Sequence, residues 1–304
     1  MDKIQVLLST YNGEMYLREQ LESLEKQTFV QMHLFIRDDG SSEETHKILA
    51  SELRMPVSIN YGSNIGIQAS FFELLNQASA DVDYYAFCDQ DDVWKPDKLS
   101  RAAMQLRAAP SNIPVMYCSR TQLVDKSLNH LGYWPPRPRK GASFANAVIE
   151  NIAVGCTIVI NRAARELIIK KTPNYNMIIM HDWWIYLCVS AFGTIIYDSE
   201  PTIKYRQHAS NSIGGNSGIL QKWNRKATSF KKNRKLKLLR KQAQEFYELY
   251  REELTMDKRE TIEVFLSSNS SFSKRIKYSS NSKLYRQSII DHYLFRLMYL
   301  LNMI

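Results

Sequence analysis

One plan recurs along the first part of the chain, and it limits the fold more than any other feature. Residues 3–9 form an apolar, β-prone run that ends in Thr10-Tyr11-Asn12-Gly13, and an amphipathic stretch follows over about 14–26 with Leu17, Leu21 and Leu24 on one face. Residues 33–42 repeat it: a strand-like run, Asp38 and Asp39, a Gly-Ser turn, then helical spacing over about 43–53. A third unit runs through 57–61 and the turn 62–66 into a helical stretch over about 69–78. Strands alternating with helices imply right-handed crossovers and a mostly parallel sheet, with all these polar turns along one edge. The expected class is therefore α/β, a Rossmann-like, mostly parallel mixed sheet flanked by helices.

The fourth strand carries the sharpest chemistry. The sequence YYAFCDQDDVW at 84–94 sets an apolar run in front of Asp89, Asp91 and Asp92, with Gln90 between them. A buried strand that ends this way delivers its carboxylates to the carboxyl edge of the sheet, where open α/β sheets hold ligands. Crowded carboxylates need a counterion, and oxygen-only ligands suit a hard divalent cation such as Mg2+ or Mn2+. A solvated acidic turn leading into a helix is the plainer alternative. The chain has no Walker lysine loop and no dinucleotide glycine fingerprint, which removes the main support for P-loop and NAD chemistry.

These segments together carry a resemblance. STYNG at 9–13, RDDGSSEET at 37–45, SNIG at 63–66 and CDQDDVWKPDKL at 88–99 occur in the order seen in family-two inverting glycosyltransferases of GT-A fold, and the likeness extends over roughly residues 3–210. The resemblance implies a nucleotide-sugar site that includes Ser9, Tyr11, Asn12, Asp39, Asn64 and Asp89, with Asp39 at the pyrimidine base. It implies ribose and metal contacts from Asp89 and Asp91, while which of Asp89, Asp91 and Asp92 touches the cation stays open.

Farther along, GCTIVINR at 155–162 resembles the family's strand beside the acceptor pocket and brings in Gly155 and Cys156. Residues 133–140, YWPPRPRK, are expected to form a rigid aromatic and basic loop without helix or strand. In MHDWWIYLCVSAFG at 180–193, His181 and Asp182 precede a helical run. By itself Asp182 could be a helix cap and the tryptophans core. By resemblance Asp182 becomes the catalytic base and Trp183 and Trp184 acceptor contacts, and the HDWW form is similar to rhamnosyltransferases of cell-wall and capsule polysaccharide synthesis. Two short strands are expected at 194–197 and 202–205; after them Arg206 is a candidate to neutralise the leaving group. By resemblance His208 would complete the metal shell or touch the diphosphate, and the glycines at 214 and 215, with Ser212 and Asn216, suit a flap.

Charge separates the last part of the chain from the rest. Of 40 Lys and Arg, 19 lie in residues 216–304 against 8 Asp and Glu, and the first 215 residues are slightly acidic. Residues 222–241 hold ten basic side chains interleaved with apolar ones, and 284–304 place Ile289, Ile290, Tyr293, Leu294, Leu297, Met298, Leu301 and Ile304 at helical spacing. A basic, apolar-striped region suits an anionic membrane surface at about 1 kcal/mol per well-placed charge; packing on the protein itself or in a homodimer is the alternative, and no nucleic-acid partner is expected. A catalytic domain over 1–215 and a helical region over 216–304 follow. Single, unpaired cysteines, no segment of signal-peptide type and no apolar run of ~20 residues point to a cytoplasmic protein, peripheral on the inner face of the membrane. The expected reaction moves a sugar, by resemblance L-rhamnose from dTDP-rhamnose, to a hydroxyl of a lipid-linked glycan. A UDP-hexose transferase, or a non-catalytic binding protein on the same scaffold, is the alternative.

Overall fold

The computed structural model describes residues 1–28, 30–51, 53–207, 233–267, 273, 275–276, 278 and 283–302. The chain divides into two compact units, one from Met1–Arg137, Ala153–Lys170 and the chain from Gly193, the other from Pro138–Ile152, Lys171–Phe192 and the C-terminal helices.

The first unit opens with the three repeats. Strands β1 (Lys3–Thr10), β2 (Gln31–Asp38) and β3 (Val57–Tyr61) alternate with helices α1 (Leu17–Glu25), α2 (Glu43–Leu49) and α3 (Ile67–Gln77), and β4 (Tyr84–Cys88) follows. β1 pairs in parallel with β2 and β4, and β2 in parallel with β3. Ile4, Val6, Leu7 and Leu8 are fully buried, as a central strand covered on both faces requires. Leu17, Leu21 and Leu24 form the buried stripe of α1.

β5 (Val93–Trp94) and α4 (Lys98–Arg107) come next. Strands β6 (Val115–Val124), β7 (His130–Trp134), β8 (Val159–Asn161) and β9 (Thr194–Arg206) complete the order β3-β2-β1-β4-β8-β6-β9-β5, with β7 paired to β6. β8 runs antiparallel to β4 and β6, whereas β9 runs parallel to β6. The sheet is thus the mixed, helix-flanked α/β sheet expected.

Two local expectations change. The strand pair at 194–197 and 202–205 is one continuous β9, because β6 is long enough to pair with both stretches across a register shift between Ser119 and Thr121. Tyr133 and Trp134 are not loop: they end β7, opposite Gln122 and Thr121 of β6.

The second unit is helical. It contains α5 (Phe144–Ala147), α7 (His181–Phe192) and the helices Asn233–Tyr250, Met256–Ser267 and Ile289–Leu300; α6 (Arg162–Lys170) belongs to the first unit. Trp184, Phe246 and Tyr250 pack in an aromatic cluster with ring centroids 5.1–6.5 Å apart. No helix among the described residues is long and apolar enough to cross a membrane.

Candidate active site

Three turns at the carboxyl edge of the parallel strands are tied together by side chains. Thr10 Oγ1 and Tyr11 N–H both donate to Gln90 Oε1, at 2.7 and 2.8 Å, and Gln90 Nε2 donates to the Tyr11 carbonyl at 3.1 Å. Gly13 admits this approach, since a Cβ there would come within 2.6 Å of Gln90 Oε1. Asn12, at φ 48°, joins the first turn to the second: its N–H donates to Ser41 Oγ at 3.0 Å and its Oδ1 accepts from Ser42 N–H at 2.9 Å. Gln90, read in sequence as the residue interrupting an acidic cluster, is the stitch between β1 and β4.

Asp39 organises the second turn. Its carboxylate is 3% exposed, pairs with the Arg37 guanidinium, and accepts the N–H of Ile65 at 2.8 Å and of Gly66 at 3.0 Å. Arg37 also reaches the Ser63 carbonyl at 3.1 Å, so the β2 and β3 turns form one surface. Gly40 sits at φ +81° under the Asn64 N–H, where a Cβ would be crowded at 3.1 Å. Asn64 and Tyr11 are exposed on this surface, and Ser9 is half-buried with its Oγ 2.7 Å from Ser70 Oγ.

The acid turn is graded by depth. Asp89 and Asp91 are half-buried, whereas Asp92 is 1% exposed. Asp92 Oδ1 accepts the Arg206 N–H at 3.1 Å, and its Oδ2 has no hydrogen-bond partner among the described residues. Burial, reinforced by the Asp91 and Asp89 carboxylates, pushes the Asp92 carboxyl well above the usual range. Crowded, partly accessible carboxylates with one unsatisfied buried oxygen are a donor set that fits a divalent cation.

Under this turn lies a buried amine that sequence reading missed. Lys98 is 0% exposed, its Nζ lies 3.4 Å from the centre of the Trp94 ring, and burial lowers its pKa to about 7. The four-residue spacing of Trp94 and Lys98 was a usable signal, but Lys98 at the start of a helix looks like a solvated charge.

Three expectations are corrected by burial. Arg206, expected beside a leaving group, is 1% exposed and turned inward: its Nε donates to the Asp91 carbonyl at 3.0 Å, its Nη2 to Glu19 at 2.6 Å, and its plane lies over Tyr16. It braces the acid turn from behind. Trp184 is 0% exposed and presents no face to a sugar, which leaves half-buried Trp183 as the tryptophan with accessible surface. Gly155 and Cys156 are likewise buried, so neither is an open acceptor contact; Cys156 instead lies by Asp89 and Asp92.

In the second unit Asp182 occupies the first turn of α7, is 6% exposed, and accepts the Trp183 N–H at 2.6 Å. Trp183 Nε1 donates to the Ala147 carbonyl at 2.7 Å, which fixes the indole beside it. Burial lowers the His181 pKa to about 3, so this ring is neutral. His208, the flap at 212–216 and most of the basic stretch at 222–241 lie outside the described residues.

A family model described as "Glycosyl transferase family 2" matches residues 5–168. The chain is 31% identical over 235 residues to the dTDP-rhamnosyl transferase RfbG of Shigella flexneri, covering 72% of this chain and 77% of that one. The crystal structure of S. aureus TarS 1–349 in complex with UDP-GlcNAc is similar at TM-score 0.57 and 18% identity, covering 99% of this chain and 81% of the other. The mannosyltransferase PcManGT from Pyrobaculum calidifontis, in complex with GDP-Man and Mn2+, follows at TM-score 0.51 and 12% identity, covering 99% and 86%. At such identities the structural likeness is one of fold, and that fold is of the expected GT-A type.

Proposed function

The chain belongs to glycosyl transferase family 2, and from that premise we propose that it is an inverting, metal-dependent enzyme transferring L-rhamnose from dTDP-rhamnose to a hydroxyl of a lipid-linked bacterial surface polysaccharide precursor. The observation that carries this reading is the joined edge of three turns, in which Gln90 and Asn12 bind the β1, β2 and β4 loops into one polar surface ending in carboxylates. The 31% identity to a dTDP-rhamnosyl transferase supports the choice of donor.

Asp182 is the proposed base. Its carboxylate takes the proton of the acceptor hydroxyl as that oxygen attacks the anomeric carbon, and the nucleoside diphosphate departs from the opposite face, so one displacement inverts the centre. Asp89 and Asp91 would hold Mg2+ or Mn2+, whose positive charge favours the departing diphosphate. Tyr11, Asn12, Asp39 and Asn64 would orient the nucleotide, and Trp183 would offer its indole face to the acceptor.

The helix Ile289–Leu300 supports a membrane contact. It buries Phe295, Met298 and Tyr299 yet leaves Ile290, Tyr293 and Leu297 more than half exposed, and the region as a whole is basic. On this reading the protein attaches peripherally at the inner face of the membrane. Replacing Ile290 and Leu297 by Ser should release the protein from anionic liposomes, and unchanged binding would reject the contact.

The test of the reaction is a panel of nucleotide sugars offered with a lipid-linked acceptor in Mn2+, with the product linkage read by NMR. Transfer from dTDP-rhamnose with an inverted anomeric centre is the expected result. Transfer from a UDP-hexose alone would move the assignment to a hexosyltransferase; nucleotide binding without transfer from any donor would favour a non-catalytic binding protein.

A further inference from the structure

The sheet brings a thiol to the acid turn. Cys156 lies in the short 3₁₀ turn Gly155–Thr157 just before β8, and β8 is the antiparallel neighbour of β4, so strand pairing carries the sulfur to the end of β4. Cys156 Sγ and one carboxylate oxygen each from Asp89 and Asp92 lie within 4.8 Å of one another, the one such convergence of His, Cys, Asp and Glu side chains among the described residues. Cys156 and Asp92 are each 1% exposed, and the second oxygen of Asp92 has, among the described residues, no donor beyond the weak S–H of Cys156 itself. A buried oxygen in that state costs free energy that coordination would offset. Asp89 is half-buried, so the group opens toward solvent on one side.

We propose that Cys156, Asp92 and Asp89 form a binding site for a thiophilic divalent cation, zinc being the biological candidate, which competes with the hard-cation site through their shared Asp89. The ligand types favour this cation. One thiolate and two carboxylates leave a fourth position for water, which makes a tetrahedral zinc site, whereas Mg2+ demands six oxygens in an octahedron. Binding forms a metal–sulfur bond and releases the thiol proton to water, with no change of oxidation state. Zinc on Asp89 would compete with the activating cation for that carboxylate and make transfer sensitive to it. The site stands on the geometry of the acid turn and holds whichever sugar is the donor.

Cadmium is the probe, added to the full-length protein. One equivalent should produce an ultraviolet thiolate-to-cadmium charge-transfer band that is lost in Cys156→Ser and kept in Cys88→Ser and Cys188→Ser. Asp92→Asn should weaken cadmium binding by roughly 10- to 100-fold or more, with circular dichroism and melting checking the fold. Cadmium NMR of the wild-type protein keeps the proposal testable if a variant does not fold: one sulfur among oxygen ligands is expected. Absence of the band, its survival in Cys156→Ser, an all-oxygen cadmium signal, or manganese and cadmium bound together would each overturn the site.

Discussion

The backbone N–H of Arg206 donates to Oδ1 of Asp92 at 3.1 Å, joining residues 114 positions apart. One side of this bond is the end of β9, the other the deepest acid of the β4 turn. The Arg206 side chain then spans the Asp91 carbonyl, the Lys126 carbonyl and Glu19. The carboxylates that follow β4 are therefore braced by a strand that arrives late in the chain.

Arg206→Lys removes the fork that serves these acceptors together, because an ammonium on a flexible stem cannot reproduce a planar guanidinium. The expected cost is about 2–4 kcal/mol, below that of a fully buried ion pair since Glu19 is half-exposed. Urea unfolding measures it, and a variant as stable as the wild type would show that the brace is dispensable.

Gln90→Ala deletes the three hydrogen bonds linking the β1 and β4 turns. Stability should fall by about 1–3 kcal/mol. Steady-state kinetics should show KM for the donor raised about tenfold with a smaller change in kcat, the pattern of lost binding orientation.

Asp182→Asn keeps the size of the side chain and its place in the first turn of α7 but cannot accept a proton. Transfer should drop by roughly 10²- to 10⁴-fold while nucleotide affinity measured by calorimetry stays within about twofold. Turnover at the wild-type rate would remove Asp182 from the reaction.

His181 predicts an acid limb of stability. Its folded pKa is about 3 against 6.5 for the free ring, so between these values the unfolded chain binds a proton that the folded chain refuses. Stability is full above pH 6.5 and declines as pH falls toward 3, by up to about 4 kcal/mol. Denaturation midpoints against pH should show a shallower decline in His181→Gln; identical slopes would place the acid sensitivity elsewhere.

Much of the fold was legible because its signals are local. The run Ile4–Leu8, the turn Asn12-Gly13 and the leucines of α1 declare strand, turn and helix within a few residues of themselves, and crossover geometry then sets the turns on one edge. The acids at 89–92 were visible for the same reason. Their depth was not. Nothing in CDQDDVW separates half-buried Asp91 from buried Asp92, because that difference is set by β9 and Cys156, which join the turn only when the sheet closes.

The same division holds for α7 and Arg206. HDWWIYLCVSAF is apolar almost all round, so its periodicity cannot say which tryptophan faces in; Phe246 and Tyr250, sixty residues on, bury Trp184 and leave Trp183 part of its surface. By itself the sequence determined the alternating α/β plan, the family and the identity of the polar turns, since these follow from short-range spacing and residue type. Tertiary structure alone decided which charges look outward and which serve as internal braces, because burial and electrostatic environment depend on partners far away in the chain.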